Sequence, residues 1–477
     1  MSTEETKLDC LLISPPVYYR EGENIWKEID SNFPPLGLAS IAGYVREKGF
    51  SVEIIDCNID APSVEAFEKY FLQHYKDAGK SPRVIGFTAS TSYVKKAYQM
   101  AEICRRLYPQ SVIVFGGVHA TFMSDEVISL PYVDIVVLGE GELTMEEILA
   151  GKNPAEIDGI IYKADGKVNR TAPRSRIINL DALPMPAYDL LPIPKYKPAK
   201  GSYKKLPAMS MMTSRGCPGR CTFCNKTLGN QMIFKSADGI FKEIKYLADN
   251  YGIKQIMFYD DTFTVFRKNV MDLCDLLLES KMDIAWTCFA RVDYVDDQML
   301  LKMHAAGCHQ IMFGVENIDE SVLKNINKKI NLPQVINAVK WTKASGIECR
   351  LAFMVGNPGD NREIIEKNIK FIKKLDPDLL IVNITTPFPG TEMFSWAKER
   401  NLILTYDWDD YNLAKPVMRL ENLTEHEIAD FYKLMYRSIY FRPKFVLKKL
   451  FSIRSFDDFK VLFEGASALL SFISHNN

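Results

Sequence analysis

The first third of the chain alternates short apolar runs with stretches whose apolar residues recur every three to four positions. Runs at Asp9–Ser14, Ser51–Asp56, Arg83–Thr88, Ser111–Phe115 and Val133–Leu138 have few polar interruptions, as strands buried on both faces of a parallel sheet should. Helical spacing fits Leu36–Lys48, Val64–Tyr75, Val94–Tyr108 and Leu143–Leu149. This alternation predicts an α/β domain of doubly wound, flavodoxin-like (Rossmann-type) topology over residues 1–150. Such sheets bind ligands beyond the carboxyl ends of their strands. Those ends carry Ser14-Pro15-Pro16, the run Thr88–Ser92 with Ser90 and Thr91, Gly116-Gly117 followed by His119, and Gly139-Glu140-Gly141. The glycines either admit a large ligand to the backbone or simply make tight turns, and the hydroxyls offer hydrogen bonds.

Residues 151–205 read as a connector. Ile160–Asn169 suits a hairpin around Asp165-Gly166, and the proline-punctuated run from Leu183 to Pro198 suits extended chain. Strand and helix patterns alternate again over 206–404, with strands expected at Ala208–Thr213, Gln255–Tyr259, Ile284–Phe289, Gln310–Phe313, Arg350–Val355 and Leu379–Ile384. In barrels built this way, chemistry gathers at the carboxyl-terminal strand ends. The first strand leads into Ser214–Asn225, the second into Asp260-Asp261, and the third into Arg291. The fourth reaches Glu316, the fifth Gly356-Asn357-Pro358-Gly359, and the sixth Thr385–Thr391. Each has an ordinary reading as well. Either aspartate suits a helix N-cap, Arg291 and Glu316 suit simple ion pairs, and Gly356 and Gly359 suit the end of a strand.

Residues 405–477 leave this pattern. Glu425–Arg437 is helical behind Thr424, with Glu425 and Glu427 in the first turn. Tyr440–Phe451 and a further amphipathic stretch through Ser471 interleave apolar residues with Arg442, Lys444, Lys448, Lys449 and Arg454. This tail is either a helical cap with a solvated basic face or a surface that approaches a membrane.

Composition narrows the field. With 477 residues, 47% hydrophobic, 25% charged and a net charge of −1, the chain is ordinary globular protein, and nothing in its balance calls for nucleic acid. The acidic start, Met1–Lys7, predicts no signal peptide, and no uncharged apolar run is long enough to span a bilayer. Ten cysteines in a chain of this size without an export signal read as reduced thiols in a cytoplasmic setting.

Three of those cysteines, Cys217, Cys221 and Cys224, stand in a Cys-x3-Cys-x2-Cys run with no fourth cysteine nearby. Structural zinc is normally closed by four ligands, and ferredoxin clusters usually take four thiolates. A zinc knuckle would need a distant fourth ligand. The spacing resembles the radical S-adenosylmethionine (SAM) superfamily, in which three thiolates hold a [4Fe-4S] cluster and SAM chelates the open iron. Together with the strand-end loops of the first domain, it resembles the B12-binding branch of that superfamily over roughly residues 8–400.

The resemblance implies a fold of a cobalamin-binding domain, a partial (β/α)6 barrel and a helical carboxyl-terminal segment. It implies that Phe223 packs near the adenine and that Asp260 and Asp261 meet the SAM amino group. Arg291 would meet its carboxylate, Glu316 its ribose or amine, and Gly356 and Asn357 its adenosine. Ser14, Pro15, Pro16, Ser90, Thr91, Gly116, Gly117, His119, Gly139, Glu140 and Gly141 would face cobalamin. The Asp-x-His-x-x-Gly motif of many B12 domains is absent after the first strand, so no histidine there ligates cobalt, and His119 suits hydrogen bonding or packing.

The implied reaction is oxygen-sensitive, cobalamin-dependent methylation of an unactivated carbon in a small-molecule or lipid substrate. It would be driven by an electron donor such as flavodoxin or ferredoxin. Oxidative cyclisation or carbon–carbon bond formation on a tetrapyrrole or lipid is the alternative within the class. A non-catalytic cobalamin or iron–sulfur carrier or sensor is the alternative outside it.

Overall fold

The computed structural model describes residues 6–17, 31–199 and 201–451, with backbone alone for 448–451. The amphipathic stretch expected through Ser471, with Arg454, lies outside the described residues, as do the side chains of Lys448 and Lys449. The chain forms two compact units, one ending at Tyr196 and the other holding the chain from Lys197.

The first unit runs β1 (Thr6–Ser14), α1 (Leu36–Glu47), β2 (Val52–Asp56), α2 (Val64–Phe71), β3 (Lys80–Thr88), α3 (Val94–Leu107), β4 (Val112–Gly116), β5 (Ile135–Val137), α4 (Glu142–Leu149), β6 (Ile160–Ala164) and β7 (Lys167–Arg170). Its sheet has the order β2-β1-β3-β4-β5-β6-β7. β1 to β5 pair in parallel, and the β6–β7 hairpin adds antiparallel to β5. The order 2-1-3-4-5 is that of a flavodoxin-like sheet. Leu11, Leu12 and Ile13 of β1 are almost wholly buried, which is why this strand reads as one apolar run. Each contributes about 1.5–3 kcal/mol of transfer free energy.

Two expectations shift here. The helix expected to Tyr75 widens at Leu72–Lys76 into a π-helical turn, with Tyr75 still 5.2 Å from Phe71, centroid to centroid. The strand expected over Val133–Leu138 shortens, because the Val133 amide turns back to the Leu130 carbonyl.

The second unit runs β8 (Ala208–Met211), β9 (Ser214–Arg215), β10 (Ile233–Phe234), α5 (Ala237–Tyr251), β11 (Gln255–Phe258), α6 (Arg267–Ser280), β12 (Ala285–Ala290), α7 (Asp297–Ala305), β13 (Cys308–Glu316), α8 (Leu332–Ala344), β14 (Glu348–Val355), α9 (Arg362–Leu375), β15 (Leu379–Ile384), α10 (Glu392–Glu399), α11 (Glu425–Tyr440) and α12 (Pro443–Phe451). Six strands form a parallel sheet of order β15-β14-β13-β12-β11-β8, the partial barrel. β9 and β10 form a small antiparallel ribbon at the base of the cysteine loop. β13 extends past the expected Phe313 and carries an irregularity in register between Gly314 and Glu316.

An incomplete barrel leaves an edge strand whose backbone groups need partners. On β15, the Tyr436 hydroxyl donates to the Val382 carbonyl and accepts from the Val382 amide, both at 3.0 Å. One helical turn along α11, the Tyr440 hydroxyl does the same for Leu380, at 2.8 and 3.0 Å. The match is geometric. Four helical residues rise ~6 Å and two strand residues ~6.6 Å, so tyrosines at i and i+4 meet alternate strand residues. The helix is fixed at its start by a capping box in which Thr424 and Glu427 bond reciprocally. Of the basic tail, Arg442 and Lys444 both reach Asp376 at 2.9 Å. Phe441, Val446 and Leu447 are exposed beside them.

Replacing Tyr436 with Phe keeps the ring and strands the Val382 amide and carbonyl. Y436F should lower stability by roughly 1–3 kcal/mol, and Y436F/Y440F by more. Urea unfolding midpoints test this, and unchanged midpoints would show that the hydroxyls do not seal the edge.

Candidate active site

The cysteine loop leaves the sheet at the end of β8, and its departure is set by one carboxylate. Asp260, fully buried after β11, accepts from the Thr213 amide at 2.9 Å, the Thr213 hydroxyl at 3.0 Å and the Ser214 hydroxyl at 2.6 Å. The Thr213 amide is thereby bonded to a side chain, and β8 ends at Met211 instead of at the expected Thr213. Burial pushes the Asp260 carboxyl up to about 6, against these three donors. Asp261, beside it, is exposed; its carbonyl accepts from the Thr262 hydroxyl at 2.6 Å, its carboxylate has no hydrogen-bond or ion-pair partner among the described residues, and partial desolvation by the neighbouring protein raises its carboxyl. The two aspartates expected to act alike are thus separated, one internal and one open.

Within the loop, Cys221 is buried, Cys217 half-buried and Cys224 exposed. A side chain at Gly219 would have its Cβ 3.3 Å from the Cys217 sulfur, 4.0 Å from the Cys221 sulfur and 3.6 Å from an Arg291 guanidinium nitrogen. Glycine therefore keeps open the space that these two thiols border. Among the described residues, no three His, Cys, Asp or Glu side chains form a group that could hold a single metal ion. Three thiols on one loop, two of them bordering the space that Gly219 leaves, suit an iron–sulfur cluster. The Thr262 hydroxyl sits 3.9 Å from the Cys217 sulfur. Phe223 packs with Trp396 and Ile330 onto the small core of Leu323, Ile326 and Met393, and backbone bonds from Thr222 to Ile326 and Met393 hold the loop there.

Positive charge surrounds the thiols. Burial raises the Cys221 thiol above its ordinary range, and the Lys328 and Arg291 charges oppose that rise. Arg291 is bonded at 3.0 and 2.9 Å to both carboxylate oxygens of Asp293 and at 3.2 Å to the Lys329 carbonyl. Glu316 and Lys328 form a buried ion pair at 3.1 Å. Glu316 adopts φ +67°, a left-handed conformation uncommon outside glycine, at the register irregularity closing β13. A Cβ at Gly314 would lie 2.5 Å from the Glu316 carboxylate and 3.1 Å from Lys328 Nζ, so only glycine leaves room for the pair.

Lys328 was not singled out from the sequence. It lies in Asn327-Lys328-Lys329, which reads as a solvated turn. No sequence signal marks its burial: only the structure shows that Asn327, just before it, takes φ +50°.

Gly356 and Asn357 fall in a polar network behind the strand ends. The Asn357 amide donates to the Met354 carbonyl and accepts from the Thr385 hydroxyl. Asp360 accepts from the Gly356 and Asn357 amides and from Asn317, and Asn317 is bonded in turn to Asn368. Asn357 is fully buried and committed to this network. Gly356 takes φ +85°, and a Cβ added there would lie 3.3 Å from Ile428 of α11.

In the first unit, the predicted loops come together at the carboxyl edge of adjacent strands β1, β3, β4 and β5. Ser14 is buried at the end of β1, followed by buried Pro15 and Pro16. The Ala89 amide bonds Gly116 and the His119 amide bonds Ala89, while the Gly139 amide bonds the Thr121 hydroxyl. Gly117, at φ +94°, sits where a Cβ would press within 3.0 Å of Ala89 and Thr88. Gly139, by contrast, faces open space, and Ser90, Gly116, Glu140 and Gly141 are partly exposed beside it. Glu140 also accepts from the Ile177 amide. An open edge of backbone and hydroxyls fits a large ligand such as a corrin. His119 does not belong to that edge. It is completely buried, with Nδ1 3.1 Å from the Thr91 hydroxyl and Nε2 3.6 Å from Glu126.

Comparisons with known proteins follow the same division. The radical SAM superfamily matches residues 211–372, and the B12 binding domain matches residues 25–149. An uncharacterized methyltransferase of Pyrococcus horikoshii is 37% identical, over 94% of this chain and 96% of that protein. An anaerobic magnesium-protoporphyrin IX monomethyl ester cyclase of Rubrivivax gelatinosus is 27% identical, over 91% of this chain and 78% of its own. The solved structure of OxsB, a cobalamin-dependent SAM radical enzyme, superposes with a TM-score of 0.74 at 18% identity. That match covers 98% of this chain and 72% of OxsB, a likeness of fold.

The network behind the strand ends predicts a pH dependence. Burial pushes the Asp360 carboxyl up to about 6 from an ordinary 3.8. Between about pH 4 and 6, the folded protein keeps a proton that the unfolded chain has lost. That stability is fully present below about pH 4 and is lost as pH rises through about 6. D360N should flatten the fall in urea midpoint over this window by about one proton's worth, and parallel profiles would refute it.

Proposed function

The chain belongs to the radical SAM superfamily, in the branch that carries a B12-binding domain, and we propose that it methylates an unactivated carbon of a small-molecule or lipid substrate. The cofactors of this family are a [4Fe-4S] cluster, SAM and cobalamin, which when bound supply a 5′-deoxyadenosyl radical and a transferable methyl group. The observation that carries methylation is the likeness to a methyltransferase along almost the whole chain.

In this reading Cys217, Cys221 and Cys224 hold the cluster, and Gly219 keeps side chains out of the space between two of them. Lys328 and Arg291 offset the negative charge of a thiolate-bound cluster. Asp261, its carboxylate open and unpartnered, accepts from the SAM ammonium. Arg291, oriented by Asp293, faces the SAM carboxylate, and Glu316, oriented by Lys328, faces the ribose or amine. Phe223 packs near the adenine, with Gly356 admitting the adenosine. Asp260 and Asn357 are positioning residues, because their polar atoms are already taken by the protein.

In the first unit, Ser14–Pro16, Ser90, Thr91, Gly116, Gly117 and Gly139–Gly141 face cobalamin, and His119 supports them from the core. Residues 1–150 thus serve cobalamin, 206–404 the radical chemistry, and 405–477 the edge of the barrel. The enzyme needs a reductant, for which flavodoxin or ferredoxin has the right potential. Among the described residues no helix is long and apolar enough to cross a membrane. Phe441, Val446 and Leu447 are the exposed apolar groups with which the tail would touch one.

Oxidative cyclisation is the second reading, favoured by the likeness to a cyclase. Products separate the two. Anaerobic, cluster-loaded protein given cobalamin, SAM and a strong reductant should yield both 5′-deoxyadenosine and S-adenosylhomocysteine, read by mass spectrometry. Deoxyadenosine alone favours cyclisation or coupling, and neither product from a verified cluster favours a carrier or sensor. Replacing the three loop cysteines with alanine should remove bound iron and all SAM cleavage. Retained cleavage would overturn the ligand assignment.

A further inference from the structure

Inside the sheet of the second unit lies a cation with no counter-charge among the described residues. β14 alternates, with Cys349, Leu351, Phe353 and Val355 fully buried on one face and Arg350, Ala352 and Met354 on the other. Register pairs Arg350 with Met312 and Ala352 with Gly314, so Arg350 shares the face on which Gly314 meets the Glu316–Lys328 pair. The Nε of Arg350 is fully buried without a hydrogen-bond partner. No hydrogen bond or ion pair engages the rest of its guanidinium among the described residues. The groups that act on its charge are phenols, Tyr440 and Tyr436 of α11 and Tyr259 at the end of β11, with no carboxylate among them. β11 and α11 flank opposite sides of β14, so Arg350 reaches into the concave interior between them.

A second polar group there is also unpartnered. Asn383 of β15, paired in register with Met354, has a buried Oδ1 with no donor. Between Arg350 and the Glu316–Lys328 pair the face carries only small groups, Gly314 and Ala352. Two strand residues span ~6.6 Å, which sets the distance along the sheet from Arg350 to that pair.

A half-buried arginine whose Nε is shut away from water without a partner among the described residues is costly to the empty protein, and such groups are normally paired. Its fork matches planar or tetrahedral oxyanions. We propose that Arg350 is the anchor for an oxyanion carried by the substrate, so that the reacting carbon is held one layer above it, on the side of the cysteine loop. The inference rests on the methyltransferase reading for what happens to that carbon, and on Arg350 alone for the class of substrate.

The test is anion binding to the full-length, cluster-loaded protein, without reductant. Melting temperature is followed against inorganic phosphate and, separately, octanoate, at constant ionic strength set by chloride. One probe should raise the wild-type melting temperature saturably. R350M should abolish that shift, and R350K should bind about tenfold more weakly. A response to phosphate assigns a phosphate or phosphonate substrate, and a response to octanoate a carboxylate. Without any probe, R350M should melt at or above the wild type, since an unpaired, half-buried charge is removed.

The proposal falls if neither probe acts beyond chloride, if R350M and wild type respond alike, or if R350M alone melts well below wild type. SAM is not cleaved in this titration, so a failure of the methyltransferase reading would leave its result intact.

Discussion

The geometry of the second unit hangs on the buried carboxylate of Asp260. Charge-assisted hydrogen bonds of this kind contribute about 1.5–3 kcal/mol each, and they offset only part of the cost of removing the carboxylate from water, which still leaves its carboxyl raised to about 6. What they fix is the point where the chain stops being a strand. Thr213 and Ser214 are turned out of the sheet, the ribbon of β9 and β10 forms, and the cysteine loop departs from a defined position. Without that anchor the thiols would hang from a loop free to wander. Asp360 does the same work three strands away, tying the turns after β13 and β14 together through Asn317 and Asn357. The strand ends are thus held from behind by buried carboxylates, while the Asp261 carboxylate in front stays open.

This division explains what could be read from the sequence. The alternation of apolar runs was enough to locate the strands of both sheets within a few residues, because buried parallel strands have little freedom in composition. Leu379–Ile384 coincides with its expected bounds. The cysteine spacing and the strand-end loops were legible for a related reason, since glycine, proline and cysteine are rarely interchangeable. The carboxylates were harder. Asp260 and Asp261 are identical in type and adjacent, and only the direction of each side chain separates an internal anchor from an open acceptor. Asn357 looked like a ligand-facing group for the same reason.

Lys328 escaped notice because charge in a turn ordinarily means solvent. Its burial depends on the bulge at Glu316 and the space at Gly314, neither of which has a periodicity. Arg350 is a related case. One polar residue in a strand is read as facing water, and only the register of the sheet shows that it faces the interior. Residues that break the hydrophobic pattern inside an otherwise regular strand are where a sequence is least legible and where sites concentrate.

Tyr436 and Tyr440 have a further consequence for the shape of the interior. A sheet that closes on itself fixes its diameter through strand number and stagger, and its interior fills with side chains. Here the last strand is finished by two hydroxyl groups instead of by β8, so closure sets no diameter. The gap between the first and last strands is therefore bounded on the β15 side by a helix pinned through two phenols, and not by strand arithmetic.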